Sequence, residues 1–272
     1  MIGRGRVLVG AGAAGGSAVV GAGVGLWRLA LVQGTVADRK VRPLTTPAPP
    51  VREFYGNPTH PPFTLAMLGD SSAQGTGVHD YDDTLGGWLA CRLAHGVRHV
   101  RVVSAARDGA RAADLAGQVA RIAPASPDLA VISIGVNDIR HRTPPTRAAR
   151  HLSAAVTDLR RGGAQVIVGT TPDLSVIAAV RPPLREIVWL LGRRLERAQT
   201  PAVLAAGGTP VTLRTGVSRA FAADPSLFAP DGLHAAAAGN ALIGAALLAA
   251  FLPPSRANLA GIVKAGILAP PS

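Results

Sequence analysis

The stretch Phe63-Thr64-Leu65-Ala66-Met67-Leu68-Gly69-Asp70-Ser71-Ser72-Ala73-Gln74-Gly75 is a short apolar run that ends at Gly and passes at once into Asp and two Ser. A buried parallel strand delivers a polar side chain to the edge of a sheet in this way. In open α/β sheets the ligand crevice lies beyond the carboxyl ends of the strands, so Ser71, just past the run, is expected to face it. The small residues from Ser72 to Gly77 let a substrate approach the backbone and open a helix, whose first N–H groups favour negative charge. The ordinary reading of such a stretch is a strand followed by a turn with a capping Ser. What displaces that reading lies further along the chain.

Downstream of residue 63, strand-like and helix-like stretches alternate. Residues 64–69, 100–104, 128–134, 165–169 and 210–213 read as strands, the third apolar but for Asp128 and Ser133, as expected of a central strand covered on both faces. Residues 83–94, 111–122, 147–160, 184–198 and 235–251 have helical spacing. This alternation predicts a parallel sheet with helices on both faces, a three-layer α/β/α domain over residues 63–252.

Three further polar stretches fall at strand ends or before the last helix. They are Ser104-Ala105-Ala106-Arg107-Asp108-Gly109, then Gly135-Val136-Asn137-Asp138, then Asp231-Gly232-Leu233-His234. Singly each reads as a turn, a helix cap or a polar loop. Taken in this order with Gly69-Asp70-Ser71, they make the chain resemble the SGNH hydrolases, the GDSL-like esterases and lipases. Block one of that family is matched by Gly69, Asp70 and Ser71, and block two by Gly109. Block three is matched by Gly135, Asn137 and Asp138, and block five by Asp231 and His234. Residues 68–73 and 168–174 also look like an actinobacterial, exported or membrane-anchored branch. Two positions depart from the pattern: block two usually carries Asn where Ser104 stands, and block five often has Pro where Ala235 stands.

The resemblance implies a flavodoxin-like sheet with strand order 2-1-3-4-5 and a catalytic set of Ser71, His234 and Asp231. It also implies an oxyanion hole from the Ser71 and Gly109 N–H groups and the Asn137 amide. Acyl transfer needs these parts: an oxygen nucleophile, a base, a group that orients the base, and donors for the developing negative oxygen. Asp231 stands three residues before His234, so one turn can present both. Ser72 is the alternative nucleophile if the turn is shifted by one. Asp70 and Asp138 read as braces of the loops, Asp173 as a turn residue, and Arg107 and Arg111 as solvated arginines. His60, His79, His95, His99, His141 and His151 lack a partner at the family spacing and read as surface or structural. No metal or cofactor is expected.

Composition narrows the partners. The 272 residues carry a formal charge of +12, almost all from Arg, since Lys40 and Lys264 are the only lysines, and the arginines are spread along the chain. With 4% aromatic residues and no recognisable module, a nucleic-acid role is not expected. Attraction to anionic lipid or envelope polymers is a softer inference. Cys91 is the single cysteine, which excludes an internal disulfide and a Cys-based metal cluster.

Residues 7–27 hold no charge and are rich in Gly, Ala and Val. About 20 such residues can cross a bilayer, so residues 1–32 read as a membrane anchor, with a cleaved signal segment as the rival. Arginines on both sides leave the orientation open. Within this run, Gly10-Ala11-Gly12-Ala13-Ala14-Gly15 matches the dinucleotide fingerprint, but the helix after it is apolar on every side and the region where the second strand should end in an acid, residues 29–33, ends in Gln33. Seven prolines between residues 42 and 62 predict that residues 33–62 form an extended spacer outside the domain. Residues 253–272 form a tail without an assigned role.

The expected function is a serine esterase acting on acyl or acetyl esters of lipid or envelope glycan, held outside the cytoplasmic membrane. An acyltransferase using the same intermediate, and a membrane-tethered binding module without catalysis, are the alternatives.

Overall fold

The computed structural model describes Gln33 and residues 42–95 and 98–251. The expected anchor over residues 1–32 and the tail over residues 253–272 lie outside the described residues. Among the described residues no helix is long and apolar enough to cross a membrane.

A six-stranded sheet forms the centre. Its strands are β1 (Phe54–Tyr55), β2 (Pro62–Gly69), β3 (His99–Ser104), β4 (Leu129–Ser133), β5 (Gln165–Gly169) and β6 (Thr209–Val211). Their order is β1-β3-β2-β4-β5-β6, with β3, β2, β4, β5 and β6 parallel and β1 antiparallel on the edge. The helices are α1 (Ser71–Gln74), α2 (Leu85–Ala94), α3 (Leu115–Ile122), α4 (Val136–Arg140), α5 (Pro145–Arg161), α6 (Leu184–Ala205), α7 (Gly216–Ala223) and α8 (Ala237–Phe251).

The two-residue period of the strands builds a core on each face. Ala66 and Leu68, Ala130 and Ile132, and Val166 and Val168 pack with Leu115 and Val119 of α3 and Leu152 and Val156 of α5. The alternate residues Leu65 and Met67, Leu129 and Val131, and Ile167 pack on the other face with Leu89 and Leu93 of α2 and Leu247 of α8. Burying one such side chain is worth about 1.5–3 kcal/mol, so a one-residue slip of β2, which would exchange the two sets, is strongly disfavoured.

Three features depart most from the sequence expectations. Helix α6 runs through Pro201 to Ala205 instead of stopping near residue 198. Proline removes one helical hydrogen bond, but the buried Leu195, Gln199 and Val203 hold the later turns against the domain. Helix α7 was not expected; its buried Val217 and Phe221 pack with Leu213 into a small cluster beside α8.

The third difference is the proline-rich stretch. It is not a spacer standing clear of the domain, because much of residues 42–62 is built into it. Strand β1 lies in the proline-free gap between Pro50 and Pro58, and Pro62 opens β2, a first position where a strand tolerates the missing donor. Tyr55 is only 5% exposed, its hydroxyl donates to Asp82 at 2.6 Å, and the Val102 N–H donates to the Glu53 carbonyl at 2.7 Å. Gln33 also reaches the domain, donating to the Pro182 carbonyl and accepting from the Leu184 N–H.

Candidate active site

Ser71 is the first residue of α1, directly beyond the end of β2. Asp70 caps this turn, its Oδ1 accepting the Ser72 N–H at 3.1 Å, and Gly75 closes it in a left-handed conformation. The Gly69 peptide at the strand end is gripped from both sides by one side chain, with Gln118 Oε1 accepting the Gly69 N–H at 2.7 Å and Gln118 Nε2 donating to the Gly69 carbonyl at 2.8 Å. Ser71 therefore stands on a backbone held at two successive residues.

Across the crevice, the turn before α8 is stapled by the Ala229 N–H donating to the His234 carbonyl at 2.8 Å and by the Gly232 N–H donating to the Ala229 carbonyl. Within it, His234 Nδ1 lies 2.6 Å from Asp231 Oδ2, and His234 Nε2 lies 2.9 Å from Ser71 Oγ. The contact is to Ser71, while the Ser72 N–H is engaged by Asp70. Burial raises the Asp231 pKa, but hydrogen bonds from the His234 ring and from the Leu233 and His234 N–H groups outweigh it and hold the carboxyl at about 2. An ionised carboxylate only accepts, so Nδ1 carries the ring proton and Nε2 presents its lone pair to the Ser71 hydroxyl.

The loop after β3 brings Gly109 to the same edge. Gln74 Oε1 of α1 accepts the Asp108 N–H at 2.6 Å, the Arg107 N–H donates to the Gly69 carbonyl, and Asn137 Nδ2 donates to the Ala110 carbonyl at 3.2 Å. These bonds tie the Ser71, Gly109 and Asn137 segments to one another. A side chain at Gly109 would meet nothing within 4 Å, so its φ of +74°, and not lack of room, is what calls for glycine.

Asp138 braces this arrangement, Oδ2 accepting the Ala112 N–H at 2.9 Å. Burial raises its pKa against the lowering effect of the Ala112 N–H and the Thr143 side chain. Asp70 is fully buried, and desolvation lifts its pKa to about 7 despite the Ser72 N–H and the nearby His234. Asp173 caps the turn at residues 174–176 and pairs with Arg214, and Arg107 pairs with Asp114.

Sequence reading missed Gln118, Gln74 and Thr45, whose hydroxyl lies 3.0 Å from Asp231 Oδ2. A Gln on a helix or a Thr among prolines carries no motif, so no local signal could have found them. No group of three or more His, Cys, Asp or Glu suited to a metal occurs among the described residues.

The family model of the GDSL-like lipases and acylhydrolases matches residues 67–242, from within β2 to within α8. The chain belongs to that family. Among its relatives is a GDSL-like esterase of Mycobacterium tuberculosis, 41% identical over 182 residues, which is 65% of this chain and 58% of that protein. The chain thus spans less than two thirds of that relative's length. Solved structures share the fold at low identity. An acetylxylan esterase from Geobacillus stearothermophilus superposes with a TM-score of 0.55 at 18% identity, over 70% of this chain and 94% of that one. A member of the lipolytic G-D-S-L family from Veillonella parvula gives 0.52 at 18%, over 68% and 96%.

Proposed function

We propose that this family member is a serine esterase that cleaves carboxylic esters through an acyl-enzyme on Ser71. The observation that carries the proposal is the relay from Asp231 through His234 to Ser71, closed by contacts of 2.6 and 2.9 Å across 163 residues of chain. His234 Nε2 takes the Ser71 proton as Oγ bonds to the ester carbon, then returns it to the departing alcohol oxygen as the C–O bond breaks. Water then attacks the acyl-enzyme by the same proton route and releases the acid. Asp231 holds the imidazole tautomer and stays ionised beside the imidazolium. The Ser71 and Gly109 N–H groups and Asn137 Nδ2 serve as donors to the carbonyl oxygen as it becomes negative.

For the substrate we propose acyl or acetyl esters of lipid or envelope glycan, and for the place, the outer side of the cytoplasmic membrane in an exported, actinobacterial-type branch. The uncharged run at residues 7–27 motivates the placement. Protection of the domain from protease in intact spheroplasts would overturn it.

The activity is tested on the full chain with a fluorophosphonate probe and a panel of esters of graded acyl length, beside Ser71→Ala and His234→Ala. The native chain labels at Ser71 and turns over at least one ester, and either substitution lowers turnover by several orders of magnitude. Absence of both labelling and hydrolysis, or their survival in Ser71→Ala, defeats the proposal. Turnover seen only with an added alcohol acceptor makes the protein an acyltransferase.

A further inference from the structure

Asp231 Oδ2 accepts two hydrogen bonds, one from His234 Nδ1 at 2.6 Å and one from the Thr45 hydroxyl at 3.0 Å. Its Oδ1 accepts the N–H groups of Leu233 and His234, each at 2.9 Å. An ionised carboxylate has about four acceptor sites, so these donors fill it, and the side chain has no exposed surface. Three of the four donors come from the turn that carries Asp231 itself. The fourth comes from 186 residues upstream.

Thr45 is held where it can act. The neighbouring Thr46 carbonyl accepts the Gly77 N–H at 2.9 Å. Gly77 in turn lies against the base: a Cβ there would stand 2.7 Å from His234 Cβ. Residues 45 and 46 therefore touch the carboxylate directly and the wall behind the imidazole through one glycine. The same arm is fastened further on by the Tyr55–Asp82 hydrogen bond and the β1–β3 pairing.

We propose that Thr45 is a positioning residue for the Asp231–His234 pair, so that the segment before the family's first block forms part of the catalytic machinery. The inference rests on the hydrolase reading above. Rotation of a carboxylate about its last bond is soft, and two donors on Oδ1 leave Oδ2 held by the imidazole alone. The hydroxyl is the fixed point against which Oδ2 is set, and through Oδ2 it aims Nε2 at Ser71 Oγ. It also supports the negative charge that must persist while His234 is cationic. The Thr45 hydroxyl acts through Asp231 Oδ2, so its effect belongs to the rate of bond making and not to substrate binding. Hydrogen bonds to charged groups and small misplacements in such sites correspond to a loss of about ten- to hundredfold.

The test compares the full native chain with Thr45→Val, which keeps the shape and removes the donor, and Thr45→Ser, which keeps the donor and removes the methyl. The Val variant is expected to lose about ten- to hundredfold in kcat and in fluorophosphonate labelling rate, with KM within about twofold of native. The Ser variant is expected to stay within a few fold of native in both. If Thr45→Val does not fold, as judged by circular dichroism, Thr45→Ala carries the same comparison. Labelling of a folded Val variant at the native rate overturns the inference, as does a Ser variant as slow as the Val variant or a loss confined to KM. A native chain that does not label at Ser71 refutes the hydrolase reading instead, which separates the two failures.

Discussion

The side-chain amide of Gln118 closes a two-way hydrogen-bonded clamp on Gly69, 49 residues away in sequence. Gln118 is 4% exposed, so both groups it satisfies are shut off from water. Without it, the Gly69 N–H at the end of β2 would be buried and unpaired beside the nucleophile's turn, and the Gly69 carbonyl would keep only the Arg107 N–H.

Gln118→Leu fills a similar volume and pairs neither group. An unsatisfied buried group costs about 1–3 kcal/mol, so the substitution, which orphans the Gly69 N–H, is expected to lower unfolding free energy by about 1–3 kcal/mol, read by urea denaturation. Turnover should fall as well, because Asp70 and Ser71 follow directly on the freed peptide. A loss below about 0.5 kcal/mol, within the usual range of surface substitutions, would show that the clamp contributes nothing.

Asp70 sets a pH dependence of stability. Its pKa is about 7 in the fold against an ordinary value of 3.8. Between these values the folded state binds a proton that the unfolded chain has lost. The contribution is therefore complete below about pH 4 and disappears as pH rises through about 7, a change on the order of 4 kcal/mol. Asp231 runs the other way: its pKa of about 2 gives stability that is present above pH 3.8 and lost as pH falls through about 2. Denaturation of Asp70→Asn from pH 4 to pH 8 should show a flatter decline than the native chain. Equal slopes in the two proteins would mean that Asp70 is not the titrating group.

Removal of residues 1–62 tests the arm as a whole. A chain beginning at residue 63 keeps every residue the family model matches but loses β1, the buried Tyr55 and Thr45. Loss of one buried aromatic side chain is worth about 2–3 kcal/mol, which corresponds to a fall in melting midpoint of roughly 5–10 °C for a domain of this size. Ester turnover should fall at least as far as in Thr45→Val. Native melting and turnover in the shortened chain would show the arm to be dispensable.

The strands and their two faces were legible in the sequence because period-two alternation and apolar runs are local signals. Leu65 and Met67 against Ala66 and Leu68 can be assigned to opposite sides from spacing alone. The positions of Ser71, Gly109, Asn137, Asp231 and His234 were legible through short family motifs, each carried within a few consecutive residues. The tract from residue 42 to residue 62 was misread because seven prolines dominate its composition. A two-residue edge strand has too few residues to register against them, and its pairing partner, β3, lies more than 40 residues downstream.

What the sequence alone determined is thus the alternation of elements, the layered core and the polar residues at the strand ends, all set by preferences of neighbouring residues. Only the tertiary structure decided that Thr45 meets Asp231, that Gln118 grips Gly69, that Gln74 holds the Gly109 loop, and that α6 continues through Pro201. Each of these depends on a hydrogen bond or a buried contact between segments far apart in the chain. Such contacts come from the packing of the whole sheet and its helices, which no short window of residues encodes.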